Sequence, residues 1–338
     1  MRTRLHSLGC RESCIPPRPI SKRNRSRNEL GCGKVLSTTS FVKSFQPPFW
    51  IRVPASTANL GPGFDTFGLA LNLYNYISIE PGNPTAPDPF ATTIIKAYHQ
   101  ARSLPYKPYR LLVRGFVPPS RGLGSSATIR VGLLAALDKV YRRSLDLPWL
   151  IETATTLEGH PDNVTAAALG GFVVCGGKKA AKAKVSPRLK LIAAIPKLET
   201  STQTARSLLP STVPFQDAVT NLRNASRITA AFLQQRYEEA TGAFLDRLHQ
   251  PYRASLVPGL EDAIAQADRS GAIGAFLSGA GPTVMALALK SEKLIGQAML
   301  KSLQKAGLGS VQIKALSADN EGVKILRLKA EETYFFSA

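Results

Sequence analysis

The chain predicts a soluble α+β protein of two domains, and three observations carry that prediction. Its 338 residues, 44% of them hydrophobic, suffice for one large core or two modest ones. Segments that read as strands come in strand-turn-strand pairs, which interrupt any regular βαβ alternation. Three turns, at residues 54–68, 118–128 and 278–283, are built from glycine with small hydroxylated neighbours. No apolar run reaches the roughly 18 residues of a membrane span, and no internal repeat is visible.

The elements follow in order from Phe49. Phe49 to Ala55 and Leu71 to Glu80 read as strands flanking the glycine-rich turn Leu60 to Asp65. After a proline-rich loop at 81–89, Ala91 to Arg102 reads as helix and Tyr109 to Phe116 as strand. The turn at 118–128 runs into an apolar-periodic helix, Ile129 to Val140, and a second helix covers Leu147 to Leu157. Beyond His160 an alanine-rich helix leads to strand Gly171 to Cys175, a lysine-rich turn and strand Leu189 to Ile195. Long helical stretches follow at Asp217 to Gln235 and Leu260 to Ala267. Two strands flank Ser278 to Pro282, before helix Glu292 to Ala306 and closing strands near Val311 to Leu316 and Val323 to Leu328. The expected organisation is a leader at 1–48, a first domain at 49–195 and a second at 196–332.

Charge separates the leader from the body. Residues 1–48 hold ten Lys or Arg against Glu12 and Glu29, a net of +8 out of +20 for the chain. The segment also carries Cys10, Cys14 and Cys32 and lacks a hydrophobic period. It reads as an arginine-rich transit peptide or as sequence upstream of the true start. A cytoplasmic location is expected, or a plastid one if the leader is a transit peptide. Cys10, Cys14, Cys32 and His6 lack the paired spacing of a zinc site. Cys175, after Phe172 to Val174, reads as a buried small hydrophobe. Basic residues of the body are scattered without interleaved aromatics, so nucleic acid is not an expected partner.

Pro118, Pro119, Ser120, Arg121, Gly122, Leu123, Gly124, Ser125, Ser126, Ala127 and Thr128 form the most informative stretch. Gly122 and Gly124 let backbone amides approach a ligand, and the two serines sit where a helix offers free N–H groups and the positive end of its dipole. A serine hydroxyl there also suits magnesium, a hard cation that prefers oxygen. By itself, the pattern equally fits a serine-capped helix after a glycine turn. It also fits the dinucleotide pattern Gly-x-Gly-x-x-Ala, yet the acid required about 20 residues on would have to be Asp146, in a linker. No Walker-type Gly-x-x-x-x-Gly-Lys-Ser/Thr occurs.

Four stretches together resemble the GHMP kinases, and within them the homoserine kinase branch. They are Pro54 to Asp65, Pro118 to Thr128, Glu158 to Val164 and Leu277 to Thr283, and the likeness runs from about Ile51 to Leu328. The resemblance implies a ribosomal-protein-S5-like N-terminal domain followed by a ferredoxin-like C-terminal one. It implies ATP-dependent phosphorylation of L-homoserine to O-phospho-L-homoserine on the way to threonine, by a homodimer. Mevalonate is the acceptor of the nearest sibling reading.

Roles carried over from that resemblance place ATP on residues 118–128 and Mg²⁺ on Ser126 and Glu158. Homoserine falls to Asn59, Asp65, His160, Asp162, Arg206, Arg253 and Gly279. The types suit a small zwitterion, because carboxylates can hold its ammonium and the planar forks of Arg206 and Arg253 its carboxylate. Asn163 stands where several relatives carry an aspartate base, and an amide cannot take a proton at neutral pH. Catalysis is therefore expected from positioning and charge neutralisation by Asp162, Asn163, Ser126 and Glu158. Two departures stand out. Asp88-Pro89-Phe90 replaces an Asn-Leu pair expected near the adenine, and Thr128 and Arg130 replace small alanines, so that Arg130 is expected to point outward or toward phosphate.

Overall fold

A computed structural model describes residues 49–177 and 179–327; the basic leader with its three cysteines lies outside them. Two antiparallel sheets and the helices packed on them make up the body. In chain order the first half has strands β1 (Phe49–Ala58) and β2 (Phe67–Pro81), helix α1 (Pro89–Ala101) and strand β3 (Tyr109–Gly115). Helices α2 (Ser125–Val140), α3 (Leu147–Glu158) and α4 (Asp162–Leu169) follow, then strands β4 (Phe172–Gly176), β5 (Lys179–Ala183) and β6 (Lys190–Pro196). The second half has helices α5 (Thr202–Ser207), α6 (Phe215–Gln234), α7 (Gln250–Arg253) and α8 (Leu260–Arg269). Strands β7 (Gly274–Leu277) and β8 (Val284–Ala288), helix α9 (Glu292–Lys305) and strands β9 (Val311–Ser317) and β10 (Lys324–Arg327) complete it.

The first sheet runs β10-β1-β2-β4-β5, with β3 also on β2. Strand β2 is long enough for both partners: Asn75 to Pro81 pairs with β3, and Phe67 to Leu69 with β4. The second sheet runs β7-β8-β6-β9. With α8 and α9 in sequence it makes the β-α-β-β-α-β order of a ferredoxin-like unit. The boundary expected at residue 195 thus falls inside β6, which pairs with β8 and β9, while β10 returns to close the first sheet on β1.

Side-chain alternation explains the layering. Along β6, Leu191, Ala193 and Ile195 enter the core shared with Phe67, Leu69 and Phe172 of the first sheet, whereas Ile192 and Ala194 face α8 and α9. Helices α1 to α4 cover the other face of the first sheet around Ile51, Val53, Ile77 and Leu134. Among the described residues no helix is long and apolar enough to cross a membrane.

Three sequence expectations change. The lysine-rich turn is in part a strand: Lys179 to Ala183 forms an edge exposed at all but Ala183, where lysines discourage further pairing. Helix α2 begins at Ser125 rather than Ile129, so both serines lie inside its first turn. Its N-cap is Gly124 at φ 68° with no side-chain cap, so the serine-capped alternative does not hold.

Candidate active site

A cavity of about 480 Å³ opens where the ends of β1, α2, α4, α5 and α7 meet. Its walls include Asn59, Asp65, Gly122, Gly124, Ser125, Ser126, Glu158, His160, Asp162, Asn163, Arg206, Arg253 and Gly279, all expected from the sequence, together with Pro119, Ser120 and Arg121. Pro118, Leu123, Ala127 and Thr128 do not line it. Leu123 and Ala127 point into the core, and the buried Thr128 hydroxyl donates to Ser125 O at 2.7 Å and accepts from Asn75 Nδ2 at 2.8 Å.

The loop before α2 is held from behind. Ser278 Oγ donates to Gly122 O at 2.6 Å, Thr283 Oγ1 to Arg121 O at 2.6 Å, and Ser56 N to Leu123 O at 3.2 Å. Gly122 sits at φ 73° with the carbonyls of Ser278 and Gly281 where a Cβ would be, and a Cβ on Gly124 would strike Ser56 Oγ. Glycine at these two positions is what lets the loop lie flat on its neighbours. The uncapped N–H groups of α2 and the hydroxyls of Ser125 and Ser126 line the cavity above it.

The opposite end is built from charged side chains. In the first glycine-rich turn Asn59, Leu60 and Asp65 all have positive φ, of 71°, 44° and 53°. Such strain in non-glycine residues marks sites whose geometry the surroundings impose. Asn59 Oδ1 accepts from Asp65 N at 3.1 Å, and the Asp65 carboxylate accepts from Arg206 Nη2 at 2.6 Å. Arg253, 2% exposed, donates from Nε to Ala205 O and from Nη1 to Gly279 O, both at 3.1 Å. The Arg206 and Arg253 guanidiniums lie 5.3 and 5.1 Å from the ring of Phe64. Burial, then the neighbouring Arg206 charge, pull Arg253 down to about 10, which leaves it protonated at neutral pH. A pair of arginines that burden each other in this way gains from an anion between them.

Asp162 and Asn163 open α4. His160 Nδ1, Asn163 N and Asn163 Nδ2 all contact Asp162 Oδ1, at 2.7, 2.7 and 3.4 Å, and Oδ2 receives none of them. Burial works against a charge on His160, but its Asp162 bond and the charges of Asp162 and Glu158 outweigh burial and raise it above the usual imidazole value. Asn163 is not free to move: its Oδ1 accepts from Ser56 Oγ at 2.8 Å. Glu158 ends α3, with Ser126 Oγ donating to its Oε1 at 2.5 Å and Arg130 paired to its Oε2. Arg130 therefore does not point outward: it reaches the buried carboxylate at the negative end of α3, which it shares with Ser126. Two hard oxygen donors so close together fit magnesium.

Several cavity residues escaped the sequence reading. Phe64, Ile129 and Thr200 to Thr202 line it, and Ser56 and His249 stand behind it; Phe90, from the Asp88-Pro89-Phe90 departure, lines it as well. His249 is fully buried against Gly61 O at 2.8 Å, and burial lowers its basicity. Phe64 could have been read from the Gly-Phe-Asp turn; Thr200 and His249 sit in no motif. Asp88, in the stretch that replaces the Asn-Leu pair expected near the adenine, caps α1 by accepting from Ala91 N at 2.9 Å.

Comparison with known proteins agrees with this geometry. Residues 90–171 match the family model "GHMP kinases N terminal domain" and residues 229–307 match "GHMP kinases C terminal". A homoserine kinase of Aquifex aeolicus is 39% identical over 292 residues, which cover 81% of this chain and 98% of that protein. Among solved structures, a putative homoserine kinase from Listeria monocytogenes superposes with a TM-score of 0.65 at 32% identity, covering 83% of this chain and all of that one. A homoserine kinase from Cytophaga hutchinsonii shares the fold with a TM-score of 0.75 at 24% identity, over 85% of this chain and 99% of that one.

Proposed function

We infer that this chain, which belongs to the GHMP kinases and within them to the homoserine kinases, phosphorylates L-homoserine with ATP to give O-phospho-L-homoserine. The observation that carries the acceptor is the meeting of Asp65, His160, Asp162, Arg206 and Arg253 in one cavity with the loop before α2. Arg206 and Arg253 take the acceptor's carboxylate in planar forks, and the carboxylates of Asp65 and Asp162 take its ammonium. These contacts aim the hydroxyl at the phosphate end, where the main chain of residues 119–124 and the start of α2 hold the triphosphate.

Transfer needs little from the protein beyond aim and charge. The acceptor oxygen bonds to the γ-phosphorus, the bond to the bridging oxygen of ADP breaks, and the hydroxyl proton leaves to a phosphoryl oxygen or to solvent. Asn163 cannot take that proton, and Asp162 is engaged in orienting His160 and α4. Ser126 and Glu158 would hold magnesium, which when bound neutralises charge on the phosphate oxygens. A cytoplasmic setting and a homodimeric state belong to the same proposal. A coupled ADP-release assay with homoserine, mevalonate, shikimate and galactose tests it. Release that depends on homoserine supports the reading, and preference for mevalonate would replace it with the sibling one.

A further inference from the structure

Glu158 is 8% exposed at its side chain and sits at the C-terminal end of α3, where the helix dipole disfavours a negative charge. A carboxylate in that place needs a cation. Arg130 supplies it. One helical turn beyond Ser126 on α2, Arg130 lies on the same face and reaches the same carboxylate, Ser126 holding Oε1 and Arg130 holding Oε2. Its guanidinium also lies 4.5 Å from the ring of Phe90, which lines the cavity, and its buried Nε has no hydrogen-bond partner.

We propose that Arg130 is a positioning residue that serves as the resident counter-cation of Glu158, and that a divalent cation must displace it to bind there. The inference rests on the reading of Ser126 and Glu158 as the metal's ligands. A divalent cation that takes both carboxylate oxygens needs Oε2, which the guanidinium must then yield, and the face of Phe90, where it already lies, keeps it nearby. Without metal, Arg130 keeps Glu158 from repelling the nucleotide's phosphates. The protein accordingly binds metal-free nucleotide better than an uncompensated carboxylate would allow, and gains less from magnesium than the donor pair alone would give.

Calorimetry of ADP binding to the full chain, once in EDTA and once in excess Mg²⁺, reads this as the ratio of the two dissociation constants. Arg130→Gln should weaken binding in EDTA and leave or strengthen binding in magnesium, raising the ratio by about tenfold, the scale of one partly buried charge pair. Arg130→Lys, which keeps the charge, should return the ratio toward that of the parent, and this control separates lost charge from lost packing. In a Glu158→Gln background, Arg130→Gln should have no further effect. A ratio in Arg130→Gln that stays within about threefold of the parent, or falls, overturns the inference. If Glu158→Gln alone leaves the ratio unchanged, the metal assignment itself fails and takes the inference with it. If Glu158→Gln lowers the ratio and Arg130→Gln does not raise it, only the role of Arg130 is lost.

Discussion

The two ends of the cavity are made of different material. At the proposed phosphate end a ligand would meet main chain: Gly122 and Gly124 at positive φ, an uncapped helix start, and hydroxyls that brace the loop from behind. At the proposed acceptor end it would meet side chains: Asp65 against Arg206, Asp162 against His160, and Arg253 buried against two carbonyls. The first end is coded by shape and the second by charge. One added methyl group should therefore ruin the first, whereas shape-preserving loss of a charge should damage only the acceptor's hold on the second.

Gly122→Ala is the most severe test. Its Cβ would meet the Ser278 and Gly281 carbonyls in a backbone conformation that disfavours a side chain. We expect kcat/KM for ATP to fall a hundredfold or more, since a shift of about 1 Å in a positioned ligand costs roughly that much. At the other end, Arg253→Met should raise the KM for homoserine about a hundredfold while the KM for ATP stays within about twofold, as truncating one partner of a buried charge site costs about 2–5 kcal/mol. Thermal unfolding of that variant checks that the bonds to Ala205 and Gly279 were not holding the fold. Equal damage to both KM values would erase the distinction between the two ends.

Asp65→Asn keeps shape and removes charge from a pair that is about one-third exposed. We expect about a tenfold rise in the KM for homoserine, nearer the surface-pair range than the buried one. The smallest effect belongs to neither end. Burial pushes the Cys175 thiol up to about 11, so at pH 8 it should resist alkylation in the folded protein and react only after denaturation. Mass spectrometry of the Cys175 peptide reads this, and rapid native labelling would show the wall behind α4 to be open.

The same contrast explains what could be read from sequence. The phosphate end was legible because its geometry is local: glycines at two-residue spacing followed by serines specify a loop and a helix start within eleven residues. The residues proposed for the acceptor end came only through the family resemblance. Asp65, His160, Arg206 and Arg253 come from four separate segments, and nothing in the periodicity around Arg206 or Arg253 says that they meet. Helices α5 and α7, of six and four residues, are too short to show a helical period. Arg130 was noticed as out of place on α2, but its partner Glu158 lies 28 residues on, and only the packing of α3 against α2 joins them.

On the proposed function, side chains at the acceptor end hold and aim the homoserine rather than take its proton. Asp162→Asn tests this most directly, with homoserine affinity measured calorimetrically in the presence of a non-hydrolysable ATP analogue alongside the turnover rate. Affinity and kcat/KM should fall together, because the charge that would hold the ammonium and His160 is gone while an amide oxygen remains to accept from His160. Abolished turnover with homoserine affinity intact would contradict it and make Asp162 the base.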